Sequence, residues 1–331
     1  MKINQIICGD AMVELKKVPD NSIDCIVTSP PYWALRDYGK KNQIGLEDHP
    51  QKYIDKIVEI MKECKRVIRP TGTIWLNLGD SFYTKSGSGQ GNNLLERHKE
   101  LDGGKGRLKK AHKETRGKFK SNWLQSKQKL LIPYRIAIKC QDELGLILRN
   151  DTKWVKQWAN WKTKESAGSS MPTSVKDRLN TNSESIFLFV KNKNYYFNLN
   201  AVRIPHKNNS IIRMKYNWNG HREPMSSYQG LQPEKMCHAK GKNPGDCLMF
   251  PLEPNREKHY AMFPKTLADF CIKAGCPKNG IVLDPFIGSG TTGLVAKKEN
   301  RNFLGFDINN NFVKIAYKRI NKKFPHKQNE N

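Results

Sequence analysis

IVLDPFIGSGTTGL, residues 281–294, decides the fold. A short β-branched run ends on Asp284, glycines at 288 and 290 permit a close backbone turn, and a helix begins at once. Strand, tight turn and helix in this order form the unit with which an open α/β sheet presents a nucleotide-like ligand to the carboxyl ends of its strands. The next strand, RNFLGFD, closes on Asp307, 23 residues after Asp284. That is about the spacing at which such folds place an acid on ribose hydroxyls. The glycines do not read GxGxxG, so a pyrophosphate at the helix N-terminus fits less well than a ligand with adenosine at one end and a different polar group at the other.

Working outward, the C-terminal part is regular. FPKTLADFCIKAG carries Phe263, Leu267, Phe270, Cys271 and Ala274 along one helical face, TTGLVAKK is a helix after the strand IVLD, and FVKIAYKRI is a last helix. Toward the N-terminus, IDCIVTS (23–29) is a strand that stops at Pro30-Pro31, since neither proline can donate to a central ladder. Ile54, Ile57, Val58, Met61, Cys64, Val67 and Ile68 repeat with helical period, and Pro70 is expected to end that helix before the strand TGTIWLNLGD. Strand, helix, strand is the crossover unit of a parallel sheet. PYRIAIKCQDELG, from about Ile132, reads as a helix and LILRNDTKW as a strand, after which Trp154, Trp158 and Trp161 lead into a polar loop. SIFLFVKNKNYYFNLN reads as a hairpin turning at Lys193-Asn194, an antiparallel edge for a mixed sheet.

Two stretches break the rhythm. Residues 81–125 hold seven glycines and eleven Lys/Arg against four Asp/Glu, with almost no apolar periodicity. That composition suits a solvated insertion, or a basic loop that orders against a phosphate backbone. The stretch from about 204 to 250 is again basic and broken by glycine and proline; its centre, 205–245, is read as a small recognition insertion within a single domain spanning 1–331.

The 331 residues carry 58 Lys+Arg against 31 Asp+Glu, a net charge of +27 that points to a polyanionic partner. A hydrophobic content of 37% is enough for a real core and excludes a wholly disordered chain. No run of 18 apolar residues occurs and MKINQIICGD has no signal-peptide apolar region, so the expectation is a soluble, cytoplasmic, nucleoid-associated protein without a membrane partner. Eight cysteines with no CxxC pair read as reduced, mostly buried thiols. Cys237, His238 and Cys247 could offer three zinc ligands, but no fourth stands at a usual spacing, and no metal is expected.

TSPPYW, Thr28 to Trp33, is the second chemical feature. Two consecutive prolines make a stiff arch whose carbonyls are free of helix bonds; Ser29 adds a short polar group, and Tyr32 and Trp33 add flat apolar faces. Such a loop at the end of a sheet strand suits a planar base, held by stacking and by its exocyclic amine. The bulk of Trp33 is consistent with a tight pocket, and a core role for the indole stays equally open.

TSPPYW near the N-terminus together with DPFIGSGTTG near the C-terminus resembles the amino-directed DNA methyltransferases that use S-adenosyl-L-methionine, in the class whose catalytic motif precedes the cofactor motif. CGD at 8–10 looks like that family's adenine-contacting element, and NPGDCLMFP followed by HYAMFP (259–264) looks like the segment that helps hold the methionine part. The resemblance implies a Rossmann-like α/β fold with a mixed seven-stranded sheet and an antiparallel hairpin strand. It implies that Ser29, Pro30, Pro31 and Tyr32 form the catalytic segment, that Asp284, Pro285, Phe286, Gly288, Ser289, Gly290 and Thr291 wrap the methionine end with Phe263 and Pro264, that Asp307 binds ribose, and that Asp10 approaches the adenine. Serine before PPY is typical of members that methylate cytosine N4, whereas aspartate there is typical of adenine-N6 enzymes. Cytosine N4 in double-stranded DNA is therefore the expected target and adenine N6 the alternative. A homodimer and a separate cognate restriction endonuclease are both compatible with this reading.

The chemistry asks for no covalent intermediate and no metal. The amine lone pair of cytosine is delocalised into its ring; oxygens of Ser29 and Pro30, each accepting one N–H, could turn it toward the sulfonium methyl. A carbon-5 enzyme would need a thiolate, and Cys276 precedes Pro277 rather than following a proline. A non-catalytic nucleic-acid-binding module is the more distant alternative, against which the intact Asp284, Asp307 and TSPPYW speak.

Overall fold

In this computed structural model the described residues are 1–35, 37–40, 42–83, 124–168, 175–209, 238–251 and 263–321. They form β1 (Gln5–Cys8), α1 (Ala11–Lys16), β2 (Ile23–Thr28), α2 (Pro50–Val67), β3 (Ile68–Leu78), α3 (Ile132–Asp142), β4 (Ile147–Val155), β5 (Gln157–Ala159), β6 (Ser166–Gly168), β7 (Ser183–Val190), β8 (Cys247–Met249), α4 (Lys265–Gly275), β9 (Ile281–Asp284), α5 (Thr291–Lys298), β10 (Asn302–Asp307) and α6 (Asn310–Asn321). Strands β1-β10-β9-β2-β3-β7-β4-β8 build one mixed sheet, and β5 and β6 a separate two-stranded antiparallel hairpin. The strands from β1 to β3 in that order are parallel neighbours, β7 runs antiparallel between β3 and β4, and β8 is parallel to β4.

Alternation along the strands divides the core between the two faces. On β2 and β3, Ile23, Ile26, Ile74, Leu76 and Leu78 join α2 and α3 on one face, while Cys25, Val27 and Trp75 join α4, α5 and α6 on the other. A parallel sheet covered on both faces needs strands apolar throughout, and all six residues of β2 are buried. Among the described cysteines, Cys25, Cys64, Cys140, Cys271 and Cys276 are buried free thiols, whereas Cys8 and Cys247 are exposed.

The structure corrects several expectations. The sheet has eight strands rather than seven, because three residues of the supposed loop region, Cys247–Met249, pair with Lys153–Val155; so short a strand shows no periodicity. The hairpin at Lys193-Asn194 does not form. Both edges of β7 are already taken by β3 and β4, so it sits inside the sheet, and the chain after it packs instead, with the Phe197 ring stacked on Trp75 at 6.4 Å. Helix α2 starts at Pro50, before the first periodic residue, because His49 Nδ1 accepts the Gln51 N–H and proline suits the first turn. Pro70 lies within β3, near the irregularity between the Ile23 and Cys25 pairings, rather than ahead of the strand. Most of the 81–125 insertion (84–123), most of the 205–245 insertion (210–237) and Cys237 lie outside the described residues. No described helix is long and apolar enough to cross a membrane, and no described group of three His, Cys, Asp or Glu could hold a metal ion.

Candidate active site

The carboxyl ends of β1, β10 and β2 open into a cavity of about 370 Å³, within the size range of small-molecule sites. Of the residues singled out in the sequence, Asp10, Ser29, Pro30, Pro31, Tyr32, Phe263, Pro285, Phe286, Gly288 and Asp307 line it. Pro264, Asp284, Ser289, Gly290 and Thr291 do not.

Asp307 is placed as the last residue of β10. Its Oδ1 accepts the Asn309 N–H at 2.7 Å and its Oδ2 the Gly288 N–H at 3.0 Å. Each carboxylate oxygen keeps a further lone pair, so the acid can still take two hydroxyl donors. Burial raises its pKa to about 6. Phe286, Ile308 and Phe312 supply apolar wall beside it, and Phe312 meets Tyr38 edge-on at 6.0 Å. An acid with spare acceptor capacity between flat apolar groups fits an adenosine. Asp10 lines the same end while its Oδ1 caps α1 through the Met12 and Val13 N–H groups.

Asp284 has another task. It is 2% exposed, and its carboxylate accepts the hydroxyls of Thr28 at 2.7 Å and Thr292 at 2.6 Å and the Phe286 N–H at 3.0 Å. It thereby ties the end of β2 to the first turn of α5, holding the two chemical segments in register. Burial raises its pKa to about 6. Asp284→Ala would strand three buried donors, and a loss of roughly 3 kcal/mol is expected, read as a melting temperature several degrees lower. Unchanged melting with weakened cofactor binding would instead make it a ligand. Ser289 faces Arg319, whose Nη1 donates to its carbonyl at 2.7 Å. Gly290 has φ +85°, and a Cβ there would stand 2.7 Å from the Ala316 Cβ; it is glycine so that α5 can approach α6.

At the opposite end, Ser29 to Tyr32 leave the end of β2. The Tyr53 hydroxyl donates to the Pro31 carbonyl at 2.9 Å, and Gly45, at φ +101°, lies so close that a Cβ would be 3.0 Å from the Tyr32 carbonyl oxygen. The Tyr32 hydroxyl donates to Glu184 Oε2 at 2.6 Å, and Asn77 Nδ2 reaches the Tyr32 hydroxyl and Glu184 Oε2, both at 3.0 Å. Burial first, and then the Glu184 charge, push the Tyr32 pKa well above its ordinary value, so the phenol stays protonated. Lys156 Nζ pairs with Glu184 Oε1 and lies over the Trp154 ring. Trp33 does not line the cavity: it is 2% exposed, and its indole N–H donates to the Glu47 carbonyl. The width of this end is set instead by Asn77, Trp154, Lys156 and Glu184, none of which sequence reasoning had placed in the site. For Asn77 a signal existed, since Thr28 and Leu76 pair across parallel strands and the two chain ends emerge together. Glu184 had none: it lies at the start of β7, which is antiparallel and so enters from the edge where the other strands leave.

Helices on both faces of the sheet and a cavity at the strand ends define a nucleotide-binding enzyme fold of the doubly wound α/β class. The DNA methylase family of N6/N4 methyltransferases matches residues 23–318. The chain belongs to that family, the amino-directed DNA methyltransferases, which depend on S-adenosyl-L-methionine. Type II methyltransferase M.SmaI of Serratia marcescens is 34% identical over 316 residues, 96% of this chain and 90% of that protein. Among solved structures, the cytosine-N4-specific PvuII DNA methyltransferase aligns with a TM-score of 0.61 at 18% identity, over 96% of this chain and 87% of that one. A DNA modification methylase of Thermus thermophilus, complexed with S-adenosyl-L-methionine, aligns with a TM-score of 0.53 at 19% identity, over 96% and 94%. At those identities the two structures share the fold.

Proposed function

We propose that this enzyme methylates the exocyclic N4 amine of cytosine in double-stranded DNA, in the class whose Ser-Pro-Pro-Tyr segment precedes the cofactor segment. The observation that carries the reading is that Ser29–Tyr32 and Asp307 wall one cavity. S-adenosyl-L-methionine, when bound, supplies an electrophilic sulfonium methyl. Asp307 would hold the ribose hydroxyls, Phe286 and Phe312 the adenine, and the turn at Gly288 the remainder. An enclosed cavity of this size cannot be reached by a base inside a duplex, so the target must be rotated out, to lie against Tyr32. Ser29 Oγ and the Pro30 carbonyl would each accept one amine N–H and aim the nitrogen lone pair at the methyl carbon. The N–C bond forms as the S–C bond breaks, and the amine proton leaves after transfer, serine being too weak a base to take it earlier. Alignment and fixed dipoles do the work. No thiolate route is built here: Cys276 is fully buried, burial pushes its thiol pKa up, and it lies outside the cavity wall.

The serine before PPY favours cytosine over adenine through the family tendency, and the insertions at 81–125 and 205–245 are proposed to carry sequence recognition within one domain. Incubating unmethylated DNA with enzyme and cofactor, then separating its nucleosides by liquid chromatography with mass detection, decides the product. N4-methylcytosine is expected. N6-methyladenine would change the target and keep the mechanism, and 5-methylcytosine would overturn both.

A further inference from the structure

The hairpin β5–β6 projects from the rim of the cavity and is unused by the chemistry described so far. Trp154 and Lys156 line the cavity, and β5 begins one residue later. Its base is anchored there: the Lys156 N–H donates to the Asn182 carbonyl at 2.8 Å and the Asn182 side chain to the Gln157 carbonyl at 2.7 Å. Gly168 closes the other arm at φ +85°, where a Cβ would fall 2.2 Å from the Lys156 carbonyl oxygen. The turn is equally well defined, because Asn160 Oδ1 accepts the N–H groups of Lys162 and Thr163 and the backbones of Asn160 and Glu165 are bonded at 2.8 Å.

At the tip of this ordered turn stands Trp161, 86% exposed, with Lys164 Nζ 3.4 Å from its ring centroid. Trp158, on β5, is 42% exposed. A large aromatic held out in water by a well-built turn gains nothing for the fold; its flat face is suited to a partner that stacks. Lys162 and Lys164 flank it, and the chain as a whole carries +27. Exposed aromatic faces between lysines match a nucleic acid, in which bases offer π-faces and phosphates offer negative charge.

We propose that the hairpin 157–168 is a DNA-contacting prong, in which Trp161 stacks on a base exposed beside the extruded target while Lys162 and Lys164 meet flanking phosphates. This rests on the reading of the cavity as the site that receives a base from duplex DNA, because only an opened duplex exposes a base face at its rim.

Fluorescence anisotropy on a labelled mixed-sequence duplex, an assay that needs no methyl transfer, tests it. Trp161→Ala is expected to weaken binding about tenfold or more, Trp161→Phe to retain most of it, and melting temperature and cofactor affinity to stay at wild-type values. The double variant Lys162→Ala/Lys164→Ala should flatten the dependence of log affinity on log salt by about 2. Wild-type binding and salt slope in these variants would overturn the prong. Wild-type enzyme that binds the duplex yet transfers no methyl group to any DNA would overturn the function and leave the binding comparison intact.

Discussion

Ser29→Ala is expected to lower methyl transfer by about a hundred- to a thousandfold, the usual effect of removing one oriented polar group from a site that works by alignment. Cofactor affinity should stay near wild type, because Ser29 stands at the base end of the cavity and Asp307 at the other. The fold should also survive: the arch is held by the Tyr53 contact to the Pro31 carbonyl and by the Ala34 N–H bond to the Gly45 carbonyl, neither of which involves the serine hydroxyl. Tyr32→Ala should be as damaging to transfer, since it removes the stacking face and also leaves Asn77 and Glu184 without their shared hydroxyl. Tritium transfer to DNA combined with calorimetric titration of S-adenosyl-L-methionine separates the two effects. A Ser29→Ala enzyme with near-normal turnover would remove the serine from the reaction.

Asp307→Ala should show the opposite profile, with cofactor affinity lowered roughly a hundredfold, as expected when hydrogen bonds to an ionised group worth about 1.5–3 kcal/mol each are lost. Part of the defect should come from the protein itself, because the carboxylate also holds the Gly288 and Asn309 N–H groups that shape the turn. Asp307→Asn should lie between the two. A pH dependence follows with a definite sign. Burial raises this acid's pKa to about 6, and only the ionised form accepts from two hydroxyls while still serving both backbone donors. Cofactor binding should therefore weaken as pH falls through about 6, and the Asp307→Asn variant should lose most of that dependence. Equal affinity at pH 5 and pH 8 in the wild type, as seen by calorimetry, would take Asp307 out of the ribose site.

What was legible in the sequence was local. IVLD ending on an acid, glycines at 288 and 290 and an immediate helix reproduce β9, the turn and α5, and IDCIVTS reproduces β2 as far as Thr28. These segments announce themselves because chain direction, φ requirements and burial on both faces of a parallel sheet each constrain the residues that can stand there. The same local reading assigned Asp284 to the cofactor because it is an acid at a strand end. In the folded chain that position is closed over by Thr28 and Thr292, and the residue ties two segments together.

The sequence by itself therefore determined the parallel α/β core, the two segments that approach each other, and Ser29–Tyr32 and Asp307 as the residues to consider first. Tertiary structure alone decided that SIFLFV is an inner antiparallel strand instead of one arm of a hairpin, that Trp33 belongs to the core, and that Asn77, Lys156 and Glu184 complete the base end of the cavity. Motif and periodicity report what a residue needs from its near neighbours in the chain. Glu184 and Tyr32, 152 residues apart, meet only because β7 enters the sheet from the edge at which β2 and β3 leave it, and strand direction is a property of the assembled sheet.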